Sequence, residues 1–518
     1  MQRNPGSDAK AAFGAALGIA IVVTLIGNGA LAWMSVPVVL CLAWLAMSRA
    51  PVRSSLFVLM FLAFTLENPS EAPASGKYKS PLFLLGSVVL EHLNRLTSIK
   101  PLFFSGMDIF LVSLGVIAFL RRTQSKPADF APIPRPMIHL AYLSLAGAVY
   151  AWLVGKWRNG DGGIALWQLD RVVYLPCVFL LFQAGLRGPQ DFQTIAKVVL
   201  WAAAIRSCMA VYVQHAVDLP PDPWTGAPTW LQYATSHHDS MLFAFAAIIL
   251  IVHMIERIGP HPFRNFFMLM PLLVTGIVFN GRRMAWLQLA ISCIALYVVT
   301  PQNAAKKKLQ KVVKWLSPLG IAYLAAGWYS TAKIFKPVQS IRSAIVSDSN
   351  ASTAWRDVEN VDLIFTIRTH HIFGTGYGHG FYEVVPLPQV EYPLERFIPH
   401  NSVLGLWAYT GYFGFTALTL LWVSGVYFAI RAYHASNQAR IRAAALTSFS
   451  AVLIYWVQCY GDMGLGSWTG VFMIAPALAL AGKLATASGA WPAFVPGRRT
   501  APARAAPAAE VPVATRPT

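Results

Sequence analysis

The sequence predicts an all-α polytopic membrane protein, and three observations carry that prediction. Of 518 residues, 56% are hydrophobic and only 12% are charged, against about 25% charged in soluble domains. Apolar stretches approaching the roughly 20 residues that cross about 30 Å of hydrocarbon recur from end to end. Lys and Arg gather in alternate connections between those stretches, the pattern that orients membrane helices.

In chain order the apolar stretches centre near residues 11–27, 30–47, 54–68, 102–120, 137–154, 172–186, 191–214, 238–255, 265–280, 283–300, 315–330, 402–430, 443–460 and 467–484. Allowing for short ones, they predict about 12–14 transmembrane helices. The stretch at 402–430 is long enough for a short re-entrant piece followed by a span. The predicted organisation is therefore eleven spans over 1–330, a large loop over 331–400, further spans over 401–485 and a disordered tail over 486–518, rich in Ala, Pro and Arg. The first stretch has no small-residue cleavage pattern behind it, so it is expected to be retained. All five cysteines fall inside apolar stretches, where no structural disulfide is expected.

With the N-terminus cytoplasmic, the inner connections collect Arg49 and Arg53, Arg121 to Arg135, Arg257 and Arg264, the run Lys306 to Lys314, and Arg431 to Arg442. Both termini are then inside. These loops account for the net charge of +19. A basic cytoplasmic surface suits anionic lipid, and the charge requires no nucleic-acid partner.

Two outer segments are long, 69–101 and about 331–400. In the second, Val358, Val361, Leu363, Ile364 and Ile367 recur at mixed helical spacing, which predicts an amphipathic helix on the outer interface. The glycines of GTGYGHG and the prolines of VVPLPQVEYP then break the helix. GTGYG is not placed like a potassium-channel filter, because some twenty polar and proline-containing residues separate it from the next span. Nor does it have dinucleotide-loop spacing or a preceding strand. A shorter outer segment carries Trp224 and Trp230. These are either interfacial anchors or a stacking surface for the apolar faces of sugar rings.

Ionisable residues inside spans are costly and point to function. Arg206 lies within VVLWAAAIRSCMAVYV, far from either end; a pairing with Asp108 is the structural alternative. Arg282 and Arg283 in FNGRRMAWLQLA stand at the outer end of a span, where positive charge is disfavoured and an anion is expected. Arg171 has the same placement, with Asp170 beside it as a local ion-pair partner. Converging arginines would form a positive pocket suited to phosphate, because the planar guanidinium donates paired hydrogen bonds and stays charged when desolvated.

His400 and Asn401, in PHNSVLGLW, open the next span on the same outer side. Imidazole, with an ordinary pKa of about 6.5, can accept a proton from an attacking hydroxyl. An interfacial histidine is the alternative for His400, and helix capping is the expected role of Asn401. His370, His371, His379 and His400, with His237 and His238, could supply imidazoles to a metal, but their spacing matches no metal motif, and no metal or other cofactor is expected.

Three pieces in order resemble the O-antigen ligase and polymerase superfamily of bacterial membrane glycosyltransferases. They are FNGRRMAWLQLAI, AWRDVENVDLIFTIRTHHIFGTGYGHGF and PHNSVLGLWAYTGYFGF, together spanning roughly residues 275–430. The resemblance implies a GT-C-like helical fold in the bacterial inner membrane, with a large periplasmic loop. It implies transfer of a glycan from undecaprenyl diphosphate to an acceptor sugar or lipid core on the periplasmic face, without metal. Residue by residue, His400 matches the family histidine that activates the acceptor or steadies the site, and Arg282 or Arg283 matches the diphosphate arginine. Arg206 matches a second diphosphate arginine, and Asn401, Arg171, Arg356, Trp224 and Trp230 are candidate supporting residues. Where the family often has a small residue after its arginine, this chain has Arg283 and Met284.

The rival reading is a transporter of lipid-linked oligosaccharide or of a small anion. Transporters commonly repeat broken helices in two halves. Here the elaborate segment at 331–400 has no counterpart in the first half of the chain.

Overall fold

The computed structural model describes residues 41–67 (except 43), 81–92, 104–124, 134–216, 234–330 (except 303), 332–335, 338, 342, 351–387 and 396–492. The apolar stretches at 11–27 and 30–40, the segment holding Trp224 and Trp230, and the tail beyond 492 lie outside the described residues.

The described chain is helical. The helices are α1 (Val52–Thr65), α2 (Pro81–Leu90), α3 (Gly106–Gln124), α4 (Arg135–Trp157), α5 (Gly162–Gly185), α6 (Asp191–Ala216) and α7 (Asp239–Glu256). They continue as α8 (Pro262–Asn280), α9 (Arg283–Val299), α10 (Ala304–Gly327), α11 (Ala351–Thr369), α12 (Ser402–Ala435), α13 (Ala439–Gly461) and α14 (Trp468–Ala487). Eight of those described are long and apolar enough to cross a membrane: α4 to α8 and α12 to α14. α1 and α9 are shorter apolar helices. The protein is a multi-pass, all-α membrane protein.

α13 is the hub, packed on α12, α14, α7 and α9. Its inward surface is small, with Ala443, Ala444, Ala445 and Ala451 buried, and small residues let membrane helices approach closely. α10 lies at the periphery, its Trp315, Leu319 and Ile321 exposed, as lipid-facing side chains are.

Consecutive helices alternate in direction, so the bundle has two ends. One collects residues 65–67, 157–162, 234–240, 280–283, 369–387, 396–402 and 461–468; we call it the loop end. At the opposite end, ion pairs tie neighbouring helices. Arg53 Nε meets Asp191 Oδ1 at 2.5 Å, and Arg442 meets Glu256 at 3.0 Å.

α12 is broken where the sequence suggests a re-entrant piece. Gly411 has φ 61° and ψ −172°, a conformation natural only to glycine. The break frees backbone groups that must find partners in a bilayer. The Gly-rich loop supplies them: Thr375 N donates to Ala408 O (2.9 Å), Gly376 N to Tyr409 O (2.8 Å), and Tyr412 N donates to His371 O (2.8 Å). On its other side the loop is bonded to α4 and α5, through Tyr377 N to Ala151 O (3.0 Å) and Gly378 N to Gln168 Oε1 (2.6 Å).

Thus GTGYGHG is a splint between α4, α5 and the broken α12. An added Cβ at Gly376 (φ +85°) would meet the backbone nitrogen of Gly155. Gly376→Ala is therefore expected to destabilise the fold by about 2–5 kcal/mol, combining left-handed backbone strain with overpacking. The check is the fraction of full-length protein that remains monodisperse after detergent extraction.

The predicted helix in the large loop is α11, but its buried face is not the apolar one. Trp355, Glu359, Asp362, Leu363 and Thr366 are buried, while Val361 and Ile364 are exposed. The polar members hold backbone: Asp362 Oδ1 accepts from Val384 N (2.9 Å) and Val385 N (3.0 Å), and Thr366 Oγ1 from Tyr382 N (2.8 Å). Its buried face thus bonds the proline-containing segment and packs on α12.

Candidate active site

Two charged clusters meet at the loop end. The first is built on the turn between α8 and α9. α8 ends at Gly281 in the left-handed region (φ 68°), and Arg282, extended, is the N-cap of α9. Two arginines thus begin a helix, where the positive end of the dipole opposes them and favours an anion.

Asn280, fully buried, fixes that turn to the segment before α7. Its Nδ2 donates to Thr235 Oγ1 and Ser236 O, both at 2.9 Å, and its Oδ1 accepts from Ser240 Oγ at 2.9 Å. This brings His237 and His238 to the same place, their rings 4.1 Å apart. His238 Nε2 lies 2.9 Å from Met463 O. A carbonyl only accepts, so Nε2 carries the proton.

At the centre stands Asp462, the C-cap of α13 and nearly fully buried. Burial opposes its ionisation, but His237, Arg356, Arg282 and His238 outweigh burial and bring its carboxyl down to about 2. It is therefore an anion at any neutral pH. Arg356, on α11, reaches it at 3.9 Å. Two guanidinium groups against one carboxylate leave the cluster positive before either imidazole is charged.

The second cluster surrounds His400. Its backbone N–H donates to Glu359 Oε1 (2.9 Å), and its Nδ1 lies 3.5 Å from the same oxygen. The edge of Trp355 packs against the imidazole at 4.5 Å and 82°. Asn401 caps α12, its Oδ1 accepting from Leu404 N (3.1 Å), while its Nδ2 donates to Asn360 Oδ1 (3.0 Å). α11 joins the two clusters, since Trp355 faces His400 and Arg356, the next residue, faces Asp462. Beside His400, Pro399, Ser402, Leu406, Tyr409, Tyr377 and Leu465 line a small, mostly apolar cavity.

The structure separates Arg282 from Arg283. Arg282 is half-buried and acts on Asp462, whereas Arg283 is exposed. Arg206 belongs to neither cluster. It is 1% exposed and pairs with Glu67 (2.6 Å) and with both oxygens of Asp239, Nε to Oδ1 being 3.2 Å.

That corrects one expectation. The partner of Arg206 is not Asp108, which forms a reciprocal capping box with Ser105 at the start of α3, Ser105 N to Oδ2 being 2.6 Å. Two carboxylates stand against its one guanidinium. Breaking such a buried cluster typically costs about 3–5 kcal/mol. Arg206→Ala is accordingly expected to lower accumulation of the protein in membranes; a diphosphate ligand would instead lose transfer at normal accumulation. Arg171 lies in α5, and its side chain is outside the described residues.

Residues 268–419 match the family model for O-antigen ligase. That segment is similar to the O-antigen ligase family. No curated protein matches the chain. The matched span holds Arg282, α11, the Gly-rich splint and His400. The similarity supports glycosyltransferase activity of the O-antigen ligase or polymerase type; that family works on lipid-linked glycans. His237, His238 and Asp462 fall outside the matched span and complete the cluster from the flanking helices.

Sequence reasoning missed Asp462, Glu359 and Asn280. Asp462 in CYGDMG has the signal already used for Arg282, an ionisable residue at a span end. Glu359 stands four residues after Trp355, on one helical face.

Proposed function

We propose that the protein transfers a glycan from undecaprenyl diphosphate to an acceptor sugar on the periplasmic face of the bacterial inner membrane, with both termini cytoplasmic and without metal. The observation that carries this reading is the meeting, through α11, of a positive cluster at Arg282 and Arg356 with His400, inside the segment similar to O-antigen ligase.

The acceptor hydroxyl attacks the anomeric carbon, and its proton passes to His400. The bond from that carbon to the diphosphate oxygen breaks, and the electron pair leaves with the diphosphate. Arg282 and Arg356, at the positive end of α9, stabilise the charge that develops there. In a water-poor site such stabilisation is usually the largest single contribution. A base at His400 adds roughly 10²–10⁴-fold.

The test is the glycan profile of a host strain lacking the protein, complemented by wild type or His400→Ala. Single repeat units with loss of long chains, unrestored by the variant, identify a polymerase. Accumulated full-length lipid-linked polymer identifies a ligase. Full rescue by His400→Ala overturns the assignment and favours a transporter.

A further inference from the structure

Glu359 is the most unusual residue of the second cluster. It is 1% exposed, and its Oε1 accepts from the backbone N–H of His400 at 2.9 Å and lies 3.5 Å from the ring's Nδ1, which is buried without a hydrogen bond among the described residues. Its Oε2 is buried with no hydrogen bond among the described residues. A buried carboxylate held this way is costly unless a positive charge forms beside it.

The ring within 3.5 Å of its Oε1 is that of His400, the side chain read above as the acceptor base. The ring is held from its other side by Trp355, and residue 401 is tied to Asn360, next to Glu359 on α11. Two consecutive residues of α11 therefore grip two consecutive residues at the start of α12.

We propose that Glu359 is the positioning residue of the transfer reaction: it holds the proton of His400 on Nδ1, turns Nε2 to the acceptor hydroxyl, and balances the imidazolium formed during transfer. The inference rests on the reading of His400 as base. With Nδ1–H turned to Glu359, the free lone pair is on Nε2; a quarter of the side chain is exposed, and the buried Nδ1 is not part of that quarter. When Nε2 takes the acceptor proton the ring becomes a cation, and the carboxylate 3.5 Å from Nδ1 is its counter-charge. Second partners of this kind fix a histidine's tautomer and orientation.

The other titratable groups nearby are committed elsewhere. Arg356 turns to Asp462, Arg396 pairs with Glu383, and Tyr409 donates its hydroxyl to Arg396 O at 2.9 Å. Tyr377 is fully buried, and burial raises its hydroxyl well above its ordinary range.

A purely structural Glu359 would only accept the His400 backbone N–H, which a glutamine does equally well. Glu359→Gln thus keeps the fold contact and removes the charge. In purified protein supplied with lipid-linked donor and acceptor, it is expected to lower kcat about 10- to 100-fold, part of the roughly 10²–10⁴ a general base contributes. The donor KM should stay unchanged.

In a His400→Ala background Glu359→Gln should cost nothing further. Wild-type kcat in Glu359→Gln, with His400→Ala inactive, overturns the role of Glu359 alone. An active His400→Ala overturns the base reading and this inference with it. If Glu359→Gln is lost from membranes, Glu359→Asp decides. Its shorter carboxylate keeps the charge but stands farther from His400, so kcat should fall at unchanged donor KM, and an unchanged kcat overturns the proposal.

Discussion

His400→Ala is expected to reduce glycan transfer by roughly 10²–10⁴-fold, the range a general base supplies, while leaving the protein in the membrane. The second half follows from where the fold contacts lie. His400 contributes its backbone N–H to Glu359, which alanine retains, and the cap of α12 belongs to Asn401. The imidazole itself touches Glu359 and Trp355 on one helix and is otherwise partly open. Transfer measured per molecule of membrane protein checks the expectation.

The second large effect distinguishes two adjacent arginines. Arg282→Ala should reduce transfer by about 10²–10³-fold, the loss typical of one donor to a developing oxyanion. Arg283→Ala should reduce it far less. Arg282 is half-buried and directed into the cluster around Asp462, whereas Arg283 is exposed on the first turn of α9. The measurement is transfer rate at saturating donor, with both variants normalised to their content in the membrane. Equal losses would mean that the two arginines act as one anion site, in conflict with the separation seen here.

How far the site was legible follows from the kind of signal each residue leaves. The spans and the break in α12 are visible because apolar length is a local property, and 34 residues of α12 exceed one crossing. The cap at Asn401 is local too, needing only the N–H three residues on. Arg282 and Arg283 stand out because a positive charge at a span end that the Lys and Arg pattern reads as outer breaks a rule of composition.

Partner choice is not local. Arg206 finds Glu67 and Asp239, 139 and 33 residues away, and nothing in its own helix separates a structural ion cluster from a ligand. α11 misled for another reason: its inward face holds loop backbone, so it needs Asp362 and Thr366, and the exposed face keeps the apolar residues that suggest amphipathicity. The glycines of GTGYGHG signalled a loop, but that they splint α12 follows only from contacts with α4 and α5.

The most direct test of the central claim uses purified protein in sealed vesicles containing undecaprenyl diphosphate-linked glycan, with acceptor glycan outside and a chelator present. The account predicts that donor is consumed, that free undecaprenyl diphosphate appears in step with glycosylated acceptor, and that His400→Ala stops both. Donor that crosses the bilayer intact, at the same rate with wild type and His400→Ala, would contradict it and make the protein a transporter.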